Sequence, residues 1–147
     1  MAFPSGSPQS LRRLAAYVAR VFSRSAANRV DIALAAGAAN VMGFTVTVTD
    51  EEGVTVPGVH QVDIWASESN VGLGLTTAAY SGNLVAATGV ILAEPTAKKR
   101  WTILTAANGV FTGSLTDTAK PQNQYIAAKN PLGSALSLSA ISAGRFG

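Results

Sequence analysis

An antiparallel β-sandwich of about seven strands, preceded by an amphipathic helical arm, is the fold to which three features of the amino-acid sequence point. Apolar and polar residues alternate with period two over several short stretches. Clusters of Gly, Pro, Asn and Asp punctuate those stretches at intervals that suit two packed sheets. The composition, 48% hydrophobic and 13% charged over 147 residues, is that of a single folded domain with a core and not of a disordered chain.

The arm comes first, over residues 1–28. In SLRRLAAYVARVFSR (residues 10–24), Leu11, Leu14, Ala15, Val18, Val21 and Phe22 recur at helical spacing. Arg12, Arg13 and Arg20 fall largely on the other side, and Ser10 is placed to cap a helix of about four turns. Five of the 11 basic residues precede Asp31, the first acid, so six basic and eight acidic groups remain for the rest. The chain is thus a near-neutral body with a basic arm, and its net charge of +3 is too small to announce a nucleic-acid binder. Three readings of the arm stand open. Its apolar stripe packs on its own domain or a neighbouring subunit, it is a targeting peptide, or it touches nucleic acid or an anionic membrane surface. On the first reading Leu11, Leu14, Val18, Val21 and Phe22 bind the partner, flanked by Arg12, Arg13 and Arg20. The most apolar run, IALAAGAANVMGF, is too short and too interrupted to span a bilayer.

The body, residues 29–147, begins with a strand over 29–34. In the next strand Phe44, Val46 and Val48 face one way and Thr45, Thr47 and Thr49 the other. Asp50-Glu51-Glu52-Gly53 turns the chain, Pro57-Gly58 makes a second corner, and Val62, Ile64 and Ala66 then alternate with Gln61, Asp63 and Trp65. In this register Trp65 points away from the Val62/Ile64 face, to be either buried by a second layer or exposed at an interface, and the second reading makes it a candidate partner-binding residue. The glycine-rich stretch 72–89 reads as short edge strands or an exposed loop, followed by a short strand over 89–92. Asn108-Gly109 predicts a tight hairpin joining 100–105 to 110–116. A strand at 125–128 follows, and Leu136, Leu138 and Ala140 alternate with serines in the last one. A jelly roll or small barrel is the competing architecture.

Chemistry is sparsely signalled. There is no cysteine, so neither disulfides nor thiolate metal sites exist. His60 is the one histidine and lacks metal-ligand partners at a recognisable spacing. Asp50, Glu51 and Glu52 fit a solvated turn better than a calcium loop, and Lys98-Lys99-Arg100 a solvated hairpin end. No nucleophile elbow, phosphate loop or complete dinucleotide fingerprint occurs. The expectation is a protein that is not an enzyme and uses no cofactor.

Two resemblances add to this. VTVTDEEGVTVPGV and LTAANGVFTGSLTDTA resemble the paired corner and hairpin phrases of bacterial immunoglobulin-like modules, over about 45–65 and 102–118, with Ala106 where those modules often carry Asp. Over about 35–130, the order AAGAANV, VTVTDEEG, HQVDIWASES, GLGLTT, EPTAKKRW and TAANGVFTGSLTDTAKPQNQYIAA resembles small immunoglobulin-like structural proteins of tailed bacteriophages. That resemblance implies a virion component, foremost a capsid decoration (cement) protein. Its partners would be the major capsid protein and copies of itself, in symmetric clusters such as trimers. A head–tail connector or tail component is one alternative, and a glycan- or receptor-binding module using Trp65 and residues 72–89 is another. The resemblance supplies no catalytic residues, and the Arg-rich helix is not part of it.

Overall fold

The alternating stretches become two packed antiparallel sheets in a computed structural model describing residues 11–16, 27, 29–119, 123–129, 136–141 and 145–146. Nine strands are formed among them: β1 (Arg29–Ala36), β2 (Val41–Thr49), β3 (Gln61–Ser67), β4 (Val85–Thr88), β5 (Val90–Thr96), β6 (Arg100–Leu104), β7 (Val110–Thr116), β8 (Gln124–Lys129) and β9 (Leu136–Ile141). One sheet runs β1-β2-β7-β4 and the other β5-β6-β3-β8-β9. Taking the first as A-B-E-D and β6-β3-β8-β9 as C′-C-F-G gives the arrangement of an immunoglobulin-like sandwich. The departure is that β4, in the D position, precedes the β5–β6 hairpin in the chain. Eight of the nine are the strands marked in the sequence, the one expected at 89–92 lengthening into β5, and the ninth is edge strand β4, supplied by the stretch 72–89.

Alternation decides which side chains meet between the sheets. Met42, Phe44, Val46 and Val48 of β2, with Phe111 and Leu115 of β7, face Val62, Ile64 and Ala66 of β3, Trp101 and Ile103 of β6, and Ile126 and Ala128 of β8. Each large aliphatic or aromatic side chain fully removed from water contributes about 1.5–3 kcal/mol before the entropy of ordering it is subtracted. Phe44 lies opposite Gly113 across the β2–β7 ladder. A side chain at Gly113 would collide with the Phe111 ring, which packs on Phe44 at 5.9 Å between centroids. Tyr80, on the β3–β4 connection, caps the core's end between Trp101 and Phe146.

Two local expectations are corrected. Asn108-Gly109 does not close a hairpin, because β6 pairs with β3 and β5 while β7 pairs with β2 and β4. Gly109 has φ +78, but Asn108 is not at positive φ, so the primed two-residue turn does not form. The turn carries the chain from one sheet to the other, held by Gly109 N–H donating to Ala106 at 2.9 Å. Asp50 is also not solvated: it is 3% exposed, and its Oδ1 accepts from the N–H groups of Glu52 (3.0 Å) and Val54 (2.9 Å). This is an Asx-type turn, with Gly53 at φ +81 completing the reversal.

Candidate functional site

Trp65 stands at the centre of the outer face of the five-stranded sheet. Its register partners are Arg100 on β6 and Ala127 on β8, so the indole lies between two interior strands. Val62, Ile64 and Ala66 point inward and Trp65 outward, as the alternation requires. The ring is neither bare nor lost in the core. Residues after Ser67 fold back over it, and the indole N–H donates to the carbonyl oxygen of Gly72 at 3.1 Å.

That returning loop is held along its length. Ser67 Oγ donates to the Leu73 carbonyl at 3.2 Å, and Thr76 N–H donates to the Ala66 carbonyl at 2.9 Å. Glu68 accepts from the Thr77 N–H (2.8 Å) and from the hydroxyls of Thr76 (3.1 Å) and Thr77 (3.2 Å). The Thr77 N–H first, and the Thr76 hydroxyl next, hold the Glu68 carboxyl below its ordinary range. Lys99 Nζ donates to the Thr77 carbonyl and Lys98 Nζ to the Ser81 carbonyl, both at 2.7 Å. The Lys98-Lys99 pair therefore fastens the loop to the β5–β6 turn and is not merely a solvated hairpin end.

Between loop and sheet lies an open pocket of about 330 Å³, lined by Trp65, Gly72, Leu73, Gly74, Leu75, Arg100 and Lys129. Gly72 and Gly74 have φ of +69 and +74, a backbone that L side chains rarely adopt, and this bends the loop around the indole. Leu73 is 74% exposed at the pocket's lip. Arg100 is held by Asp63, Nη2 to Oδ2 at 3.3 Å, and Asp63 is steadied by the Thr102 hydroxyl at 2.6 Å.

The other expected partner-binding residues do not join Trp65. Leu11, Arg12, Arg13 and Leu14 lie on a helix over residues 11–16, where all four are exposed, Leu11 at 63% and Leu14 at 58%. The apolar side chains of this helix are not among those packed on the sandwich core, so its own domain does not cover Leu11 and Leu14. Val18, Arg20, Val21 and Phe22 lie outside the described residues.

His60 Nε2 lies 3.0 Å from the Val56 carbonyl oxygen, and its main-chain N–H donates to Thr105 Oγ1. Both contacts pin the Pro57-Gly58 corner. Among the described residues no cluster of three His, Cys, Asp or Glu could hold a metal ion, and no helix is long and apolar enough to cross a membrane. Comparison with protein families, with characterised proteins and with solved structures finds nothing that matches this chain.

Proposed function

We propose that this chain is a non-enzymatic structural protein of a tailed-bacteriophage particle, a decoration protein bound to the outside of the assembled head. The observation that carries the reading is the exposure of Leu11 and Leu14 on a helix that its own sandwich leaves uncovered. Such a stripe is stable in water only at a cost, and a neighbouring coat subunit that buries it gains about 1.5–3 kcal/mol per leucine before ordering costs. Many copies, each bridging coat subunits weakly, would reinforce a shell. Arg12 and Arg13 beside the leucines suit an acidic coat surface, with an attraction that salt weakens.

Copies of the chain itself are the second proposed partner. β5 is an edge strand on which Val90 and Leu92 stand exposed, and Val85 is exposed on the neighbouring edge strand β4. Edges of this kind invite pairing with an identical edge. The immunoglobulin-like strand order fits a compact surface knob, and no cofactor enters the reading.

Removing residues 1–28 tests the proposal. The truncated protein should keep its sandwich, seen in an unchanged β-sheet circular dichroism spectrum, and lose binding to undecorated heads. Leu14→Asp should weaken binding more than Arg12→Ala. Normal decoration by the truncated protein would overturn the reading, as would a copy number of about a dozen per particle, which belongs to a connector ring.

A further inference from the structure

We propose that the Trp65 pocket binds an apolar group carrying a carboxylate, such as an aryl or branched-alkyl acid. The inference concerns the pocket's own chemistry and does not depend on attachment to a shell. Its walls are the Trp65 indole, Leu73 and Leu75, with two glycines between them that add no polar side chain. Its charged lining residues are Arg100 and Lys129, both cations, and among the described residues no carboxylate lines it. Asp63 lies outside the lining and engages one end of the Arg100 guanidinium. A guanidinium has five N–H donors, so a carboxylate entering the pocket still finds paired donors on Arg100. Among the described residues the main-chain groups of Gly74 and Leu75 have no protein hydrogen-bond partner, which leaves further polar groups at the rim.

Shape narrows the ligand. β3, β6 and β8 are interior strands, so an extended peptide cannot add to the sheet at this place. What enters is a side group or a small molecule. A volume of about 330 Å³ is at the small end of ligand sites and suits one ring or branched chain with its acid. Apolar walls disfavour a sugar, whose hydroxyls would lose water without replacement. The same chemistry can come from a free acid or from an apolar side chain beside an acidic one in a partner protein.

The test uses the full-length ¹⁵N-labelled chain, whose two tryptophans give two indole N–H signals. Trp101 is 2% exposed and serves as the internal reference for an intact core. The probes are 3-phenylpropionate, its neutral amide, glucuronate, and the peptide acetyl-Ser-Asp-Phe-Ser-amide. 3-Phenylpropionate should shift the Trp65 signal saturably, about tenfold more tightly than the amide or glucuronate. Arg100→Gln and Lys129→Gln should each remove most of the preference for acid over amide while the Trp101 signal stays in place. A peptide that binds more tightly than the free acid assigns the pocket to a protein partner, and the reverse assigns it to a small molecule. Equal affinity for acid and amide, glucuronate binding as tightly as the aryl acid, or no saturable shift at Trp65 would each overturn the proposal.

Discussion

The indole N–H of Trp65 donates to the carbonyl oxygen of Gly72 at 3.1 Å, tying the middle of a strand to the loop that folds back over it. Gly72 is buried, so its carbonyl has little access to water if that donor is lost. Trp65→Phe keeps an aromatic ring and deletes the N–H. The expected cost is about 1–3 kcal/mol of global stability, seen as a lower urea midpoint at unchanged m-value. Amide exchange at Thr76, whose N–H bonds the Ala66 carbonyl across the same fold-back, should accelerate more than exchange at Ile103 in the core. Unchanged exchange at Thr76 would mean that the threonine–Glu68 bonds hold the loop without the indole.

A second network lies inside the sandwich. Tyr80 Oη donates to Gln124 Oε1 at 3.1 Å, and Gln124 Nε2 donates to Thr76 Oγ1 at 2.9 Å, all three residues being buried. Tyr80→Phe strands the Gln124 oxygen, at a cost of about 1–3 kcal/mol near neutral pH. Burial first, and the nearby Asp117 charge second, push the Tyr80 hydroxyl far above the ordinary phenol range. The native state therefore keeps this proton at a pH where the unfolded chain, titrating near 10, has released it. The unfolded state then binds fewer protons, so this contribution is complete below about pH 10 and declines above it by up to about 1.4 kcal/mol per pH unit. Tyr80→Phe lacks the decline. The stability gap between wild type and variant should narrow from about pH 8 to about pH 11 in urea unfolding. A constant gap would place the Tyr80 hydroxyl in contact with water.

What was legible in the chain followed from period two. Phe44, Val46 and Val48, and then Val62, Ile64 and Ala66, mark the core face without knowledge of partners, and the same phase puts Trp65 outside. Turn chemistry was less decisive. Asn108-Gly109 carries a hairpin signature, yet the φ of Asn108 and the allegiance of β6 and β7 to different sheets are set by tertiary pairing. The burial of Asp50 was hidden for a related reason: an acid beside two others looks solvated until the N–H groups that bond it are placed. The pocket was half visible. Trp65 and the 72–75 glycines could be suspected, but Arg100 and Lys129 join them through cross-strand register, which no local pattern encodes.

The flank formed by β4 and β5 gives the last prediction. Most edge strands are protected by lysine, proline or a bulge. On β5, register shifts on either side of Ala93 and a proline at Pro95 protect the later half, while Val90–Ala93 carries no charge. Glu94 is turned to its own hairpin, where Oε1 accepts from the Trp101 indole N–H at 3.0 Å and the Lys98 N–H at 2.7 Å. Val90 and Leu92 are therefore left 56% and 54% exposed with no charge directed against a second copy. Two such strands meeting antiparallel would satisfy their outward main-chain groups and cover these side chains together. Leu92→Lys should weaken self-association by at least about tenfold in sedimentation equilibrium, by placing like charges across a symmetric junction. Because Leu92 is already in water, thermal stability of the monomer should change by less than about 0.5 kcal/mol. Equal association by wild type and variant would move the self-contact away from this edge, and a loss of monomer stability would show that Leu92 supports the fold itself.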